Sequence, residues 1–482
     1  MDGSSARNGE PRTRPPVLNV RRKSASTPRR WTLDDVVTQV SQLRALEAAR
    51  QAVDADRRVT IEGIWPGAMP IALAGWYRAG PQPLLVLTAH FSEAETIAGE
   101  LEELLGRSCE VFPPGSEEQE LESLTLQATG QRLHVISQLF KYLEHPNGPP
   151  PIIVTTLPAV LQHVPAPGSL QRDQQLLQVG HRIDIAHLQR WLVDAGYHQT
   201  TSVQLPGEFA MRGGILDIFP PDEDHPARIE LFDDEVESLR TFDVVTQRSV
   251  EQRAELRLVS VQGSVAQDGL ILDYLPSDAA IFVHEPLAVQ STAESFLQRA
   301  PFPQRYASPP QIWSRIADFA TVHAVQLADE GYLGQLIELP IGSVERIGGD
   351  LERLAADIDA HCGGRQVVVV AMNDGEAERL GELLAPAQAQ ADHRLHIVVS
   401  QLQTGFEILP DGPMLLTAGQ LLHRSHVRRV TKRTKSKPID SFLDLRPGDL
   451  VVHLSHGIGV YRGTELLDKN GHKSEHLVLE FA

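Results

Sequence analysis

Three short stretches of the 482-residue chain carry residue types that could do chemistry. The first is Gly63-Ile64-Trp65-Pro66-Gly67-Ala68-Met69-Pro70, standing where a phosphate-binding loop would follow an opening strand. Such a loop wraps phosphates in backbone N–H groups and reaches the β- and γ-phosphates with a lysine. No Gly-Lys dipeptide occurs anywhere in the chain, and Pro70 removes one N–H from the cradle, so nucleotide hydrolysis is not expected. A nucleotide-dependent enzyme with a non-standard loop around Gly63–Ala68 is the alternative. The second stretch, Asp233-Asp234-Glu235, has the paired carboxylates of acid–base catalysis but no companion histidine or metal ligand, and reads as a charged turn. The third, His453 and His456, has a spacing zinc can use but no third ligand nearby, so the side chains are read as fixing a turn. Gly457-x-Gly459 matches part of a dinucleotide fingerprint without opening a helix after a strand. Linear spacing supports no Ser/His/Asp or Cys/His arrangement, and no catalytic, cofactor-binding or metal-ligating residue is assigned.

Composition narrows the class. Hydrophobic residues make up 41% and charged residues 22%, and the length suits roughly three or four domains. No run approaches the ~20 apolar residues of a membrane span, and the N-terminus lacks the apolar core of a secretory signal. The expectation is a soluble, cytoplasmic protein with no membrane partner. Two cysteines, Cys109 and Cys362, exclude a disulfide scaffold and a Cys-rich zinc module. Net charge is −19, yet the first thirty residues hold eight Arg or Lys against Asp2 and Glu10, leaving −25 on the rest. An acidic body opposes loose binding to phosphate backbones and favours a basic protein partner or local patches. The basic arm 1–30, rich in Ser, Pro and Arg, reads as a solvated tail. Its composition also suits an organelle transit peptide, although Pro15 and Pro16 interrupt the amphipathic helix that needs.

The elements that must position these residues follow from periodicity. Over 31–164, short apolar runs (Val59–Ile61, Leu84–Thr88, Cys109–Phe112, Ile152–Thr155) alternate with helical segments, notably Glu93–Leu105 and Leu124–Leu143. That pattern predicts a parallel sheet covered on both faces. After a helix over Ile183–Ala195, the turns Pro206-Gly207, Gly213-Gly214 and Pro220-Pro221 punctuate short strands, predicting an antiparallel β-rich insert over 165–250. The mixed stretch 251–341 is assigned to the second part of the first α/β domain. A second small α/β domain over 342–427 is predicted to be parallel, with helices Leu351–Ile358 and Glu376–Leu384 and strands Val367–Ala371, Leu395–Val399 and Met414–Thr417. A basic linker, 428–441, carries Arg428, Arg429, Lys432 and Arg433, read either as a plain linker or as a contact with nucleic-acid phosphate or an acidic protein face. The remainder, 442–482, alternates strand and turn, with strands expected at Leu450–Val452 and His476–Phe481 and a hairpin at Asn470-Gly471. Its end inside the apolar run Leu477–Ala482 is expected to be a truncation within a domain.

Two passages are more specific. One runs from Gly196-Tyr197 through Val203-Gln204-Leu205-Pro206-Gly207-Glu208-Phe209-Ala210-Met211-Arg212-Gly213-Gly214-Ile215-Leu216-Asp217-Ile218-Phe219-Pro220 and Arg228-Ile229-Glu230-Leu231-Phe232-Asp233-Asp234-Glu235 to Asp243. It resembles the UvrA-interaction domain shared by the repair protein UvrB and the transcription-repair coupling factors (Mfd family). The other is Gly448-Asp449-Leu450-Val451-Val452-His453 with His456-Gly457-Ile458-Gly459-Val460-Tyr461-Arg462-Gly463, which resembles the RNA-polymerase-interacting module of that family and of CarD-type regulators. UvrB needs the phosphate loop missing here, and CarD-type regulators lack the first passage. The order of the two passages is therefore that of a transcription-repair coupling factor, with the resemblance covering roughly 31–482.

The resemblance implies an α/β multidomain fold: a degenerate P-loop-like sheet domain with a β-rich insert, a small second α/β domain, and a truncated C-terminal β-barrel-like (SH3/Tudor-like) module. It implies an N-terminal part that recruits UvrA and meets the RNA polymerase β subunit. DNA contact, ATP and Mg would belong to a superfamily-2 motor absent from this chain. A stand-alone adaptor or transcription regulator binding polymerase through the CarD-like module is the alternative. Arg212, Arg228 and Glu230 map onto residues that pair with UvrA, and His198 stands where the family usually has arginine. Alternation with Ile215, Ile218, Ile229 and Leu231 points both arginines away from a core, where a planar guanidinium can pair with a partner's carboxylates. An internal cross-strand pair of Arg228 with Asp or Glu is the other reading. Phe219 is a candidate anchor on the same domain, or else a core aromatic before Pro220. Leu467, with Val452 and Tyr461, is assigned to the polymerase contact, a buried hairpin leucine being the alternative.

Overall fold

The computed structural model describes residues 30–115, 122–146, 148–172, 174–223, 225–260, 268–329, 331–344, 353–422, 450–453, 457–469 and 472–481. The basic arm, the linker with Arg428, Arg429, Lys432 and Arg433, His456 and the Asn470-Gly471 turn lie outside these residues.

The apolar runs of the first domain line up as a seven-stranded, fully parallel sheet. Its order is Gln335–Glu338, Arg58–Glu62, Ala320–Val325, Ala280–His284, Leu84–Thr88, Ile152–Thr156 and Glu110–Phe112. In Leu84–Thr88 every residue is buried, because successive side chains enter opposite cores. Leu84 and Val86 join a cluster with the helices Leu33–Ser41, Arg44–Asp56, Met69–Ala79 and Phe91–Leu105. Leu85 and Leu87 join a second cluster with the helices Glu122–Glu144, Pro286–Arg299 and Pro309–Ile316. Local signals set the helix ends. Thr32 and Asp35 form a reciprocal capping box at the first helix, and Gly106, at φ 64°, closes the helix Phe91–Leu105.

The second α/β domain departs from the sequence expectation. Its five-stranded sheet is mixed, in the order Ile341–Ser343, Phe406–Ile408, Met414–Thr417, Val367–Ala371, Leu395–Val399. The last three strands are parallel, but Phe406–Ile408 pairs antiparallel on both sides. A short return connection through Asp411-Gly412 joins Phe406–Ile408 to Met414–Thr417, and so short a link permits only an antiparallel neighbour. Leu402, Phe406, Ile408 and Leu415 of this domain belong to the same core cluster as the first sheet.

Between Ile152–Thr156 and Ala280–His284 the chain leaves the first sheet and builds the β-rich insert. A six-stranded sheet runs Ser249–Gln252, Glu235–Phe242, Ala227–Phe232, Ile215–Ile218, Glu208–Arg212, His198–Gln199, antiparallel except for the last pair. The helix Ile185–Asp194, capped by Asp184, covers one face with Leu188 and Leu192. A separate ribbon pairs Gln175–Gln178 with Glu255–Leu258, and Leu177, Leu256 and Leu258 enter the same core. The insert therefore extends past residue 250, where the alternating charges of Glu255 and Arg257 had masked a strand. Its entry and exit meet at a neck, where Val164 and Gly269 exchange both backbone hydrogen bonds at 2.9 Å.

The last described part is a three-stranded antiparallel sheet, Leu450–His453, Gly457–Lys469, His472–Phe481. Gly457 and Gly459 thus lie in a strand.

Candidate docking face

The turn Arg212-Gly213-Gly214-Ile215 builds the face from the centre. Gly213 takes φ 58°, and a Cβ on Gly214 would lie 2.7 Å from the Leu231 carbonyl oxygen, so the hairpin closes tightly beside the next strand. Register then fixes the rows. Arg212 pairs with Ile215, Ile215 with Glu230, and Glu230 with Ser238. One row over, Ala210, Asp217, Arg228, Arg240 and Gln252 stand side by side. Burial alternates against these rows, with Leu216, Ile229 and Leu239 in the core beneath the helix. Arg212, Arg228 and Glu230 therefore share the face turned away from that helix.

Arg228, Glu230 and Arg212 each have a defined hydrogen-bond partner on this face. The Arg228 guanidinium donates from Nε and Nη2 to the two carboxylate oxygens of Asp217, at 2.7 and 2.8 Å, and lies over the Phe242 ring at 4.6 Å. The hydrogen bonds to Asp217 hold Arg228 above its ordinary value. Glu230 accepts from Arg240 Nη2 at 2.5 Å and Ser238 Oγ at 2.7 Å, and these bonds hold its carboxyl below the usual range. Arg212 is exposed and donates to the Thr201 carbonyl. His198 is exposed on the short edge strand.

Phe219 is not an exposed anchor. It is 7% exposed and packs with Val203, Ala210 and Val244 in a small satellite core. The exposed aromatic of the face is Phe232, 75% exposed and two residues beyond Glu230 on the same side of its strand. Ile215, 39% exposed, supplies a second apolar surface between Arg212 and Glu230. Phe232 had a signal in the sequence, since its spacing from Arg228 and Glu230 is a multiple of two. Arg228 makes the internal cross-strand pair that was the other reading of the sequence, with Asp217 as its carboxylate, whereas Arg240 had no signal, because its pairing is known only from register.

The other chemical candidates resolve more simply. Gly63 and Ile64 donate their N–H groups to Gln326 and Val325 carbonyls, and Ala68 donates to Trp65. The loop forms a 3-10 turn over Pro66–Ala68, and a Cβ on Gly67 would overlap the Thr404 and Trp65 side chains. Thr404 of the neighbouring α/β domain thus packs against the loop at Gly67. Asp233, at φ 58°, and Asp234 form the turn before Glu235, with Arg182 3.6 Å from Asp234. Among the described residues no group of three His, Cys, Asp or Glu could hold a metal ion. Cys109 and Cys362 are buried free thiols, pushed up by burial to about 12 and about 11. In the last sheet Tyr461 is buried and so does not offer its ring to a partner, while Val452 pairs with Ile458 and Leu467 with Ser474.

The insert that carries the face is gripped by the first α/β domain through the helix Glu122–Glu144. His134 Nδ1 donates to the Asp222 carbonyl at 2.6 Å, and Arg257 Nη1 meets Glu144 at 2.9 Å. A Cβ on Gly130 would lie 2.9 Å from the Pro221 carbonyl oxygen. The Asp222 side chain, 3% exposed in this seam, is pushed up to about 6 by burial, with the Lys141 ammonium pulling the other way.

A model described as "UvrB interaction domain" matches residues 176–263, and one described as "CarD-like/TRCF RID domain" matches 445–482. The transcription-repair-coupling factor of Bacillus subtilis is 25% identical over 495 residues, covering 83% of this chain and 41% of that protein. The factors of Staphylococcus aureus (strain bovine RF122 / ET3-1) and Haemophilus influenzae are each 24% identical, covering 87% of this chain and 43% of each protein. The chain thus spans about two-fifths of the length of these relatives. No helix among the described residues is long and apolar enough to cross a membrane.

Proposed function

We propose that this chain, which carries the UvrB-type interaction domain and the CarD-like RID domain of the transcription-repair-coupling factors, is a docking platform that brings a UvrA-type repair protein to stalled RNA polymerase. The observation that carries the reading is the outer face of the six-stranded sheet. An exposed phenylalanine and isoleucine stand beside an exposed arginine and two ordered ion pairs, inside the matched interaction domain. Apolar anchors ringed by charged groups are the usual anatomy of a protein–protein hot spot. The polymerase contact is assigned to the sheet 450–481, in which Val452 and Leu467 remain the candidate residues and edge-to-edge strand pairing the mode. This chain is taken to hydrolyse no ATP, a reading supported by Thr404 packed against the loop at Gly67. Its setting is taken to be the cytoplasm.

Titration of purified UvrA into the chain and into an Arg212→Ala, Phe232→Ala double variant tests the proposal. Micromolar or tighter binding that falls by more than ~2 kcal/mol in the variant supports it. Equal binding by both proteins, or none by the wild type, refutes it.

A further inference from the structure

Arg228 and Arg240 are direct cross-strand partners, an arrangement that by itself brings two like charges together. They coexist because each is drawn to a carboxylate. Asp217, on the strand beyond, takes Nε and one Nη2 hydrogen of Arg228, and Gln247 Oε1 lies 3.3 Å from the same Nη2. The Phe242 ring backs the guanidinium plane. Of the five guanidinium hydrogens, only the two on Nη1 remain for a partner. Arg240 takes Oε1 of Glu230 and Ser238 takes Oε2, leaving one lone-pair direction on each oxygen.

We propose that Asp217 and Arg240 are positioning residues of the docking face. They hold the Arg228 fork and the Glu230 carboxylate in fixed orientations, so that the face selects a partner presenting an alternating carboxylate–guanidinium pair rather than a uniformly acidic surface. The inference rests on the docking reading given above and goes further by making the internal ion pairs part of recognition.

The two alternatives differ in sign. If Arg228 acted as a free cation toward an acidic patch, removing the Asp217 charge would tighten binding. If Asp217 positions it, the same change weakens binding. The test is the UvrA affinity of Asp217→Asn, Arg240→Gln, Arg228→Lys, Arg228→Ala and the Asp217→Asn, Arg228→Ala double variant, with a thermal melt of each. Asp217→Asn, Arg240→Gln and Arg228→Lys are each expected to weaken binding roughly tenfold, and the double variant to bind no worse than Arg228→Ala alone. Lysine keeps the charge but loses the two-pronged geometry, so its failure separates orientation from charge. Wild-type or tighter binding by Asp217→Asn or Arg228→Lys overturns the proposal, as does strict additivity in the double variant. Arg212→Ala and Phe232→Ala serve as controls on the face itself. If they weaken binding while Asp217→Asn does not, the positioning role alone falls, and if neither weakens it, the face and the positioning role fall together.

Discussion

Replacing Asp222 by asparagine probes the seam between the insert and the body. The carboxyl sits 3% exposed between the insert and the helix Glu122–Glu144. Around it stand Lys141, Glu223 and Tyr197, whose hydroxyl donates to the Val259 carbonyl, while His134 bonds the Asp222 carbonyl. Burial raises its folded-state value to about 6 from the ordinary 3.8. A raised acid favours the protonated form in the native state. Its destabilising contribution is therefore fully present above about pH 6 and is relieved as pH falls toward the unfolded value. The difference corresponds to about 3 kcal/mol at pH 8, falls to roughly half of that by pH 5 and to a small fraction of it by pH 4. Asparagine has the same shape without the charge. Urea unfolding of both proteins, followed by circular dichroism, should give the variant an advantage approaching ~3 kcal/mol at pH 8 that shrinks along this curve. Equal stability at pH 8, or an advantage that does not change with pH, refutes the reasoning.

Three further outcomes are expected. Phe232→Ala should cost about 1.5–3 kcal/mol of UvrA binding by calorimetry while leaving the melting temperature within about 1 °C, because the ring is exposed in the free chain. Phe219→Ala should instead lower unfolding stability by about 3 kcal/mol, since its ring fills the satellite core with Val203 and Val244. Gly67→Val should destabilise the chain by about 1–3 kcal/mol in urea, with part of the loss recovered by Thr404→Ala, because Thr404 is one of the two side chains, with Trp65, that the new Cβ would meet.

The parts of the fold that could be read from sequence are those where one physical signal dominates. Leu84–Thr88, Val367–Ala371 and Leu395–Val399 are uninterrupted apolar or near-apolar runs flanked by helices, and they are strands with those bounds. Helix bodies were also legible, although Glu93–Leu105 begins at Phe91 and Ile183–Ala195 runs only from Ile185 to Asp194. What periodicity does not encode is which strands become neighbours. Ala280–His284 and Ala320–Val325 occupy the centre of the first sheet, yet they follow the whole insert in sequence and their pairing depends on its return. The mixed order of the second sheet escaped for the same reason. At the docking face, alternation turned Arg212 and Arg228 away from the core, as found, but it also counted Ile215 as a core residue, whereas Ile215 pairs with Arg212 and Glu230 on the outer face and is 39% exposed. Alternation does not say which aromatic is covered: Phe219 has Val203, Ala210 and Val244 packed against it, whereas Phe232 is exposed.

The neck at Val164 and Gly269 bears on how such a chain could be assembled and taken apart. Because the entering and leaving strands exchange both hydrogen bonds there, the ends of the insert already meet, and the ends of the body meet with them. A Cβ on Gly269 would lie 2.8 Å from Ala166 Cα, so the crossing is as tight as backbone allows. An element whose two ends meet at one such clasp can be removed, or moved to another host, without stretching either chain, once the contacts of the helix Glu122–Glu144 with it are given up. The same geometry makes the interaction domain a cassette, whose gain or loss leaves the parallel sheet beneath it topologically unchanged.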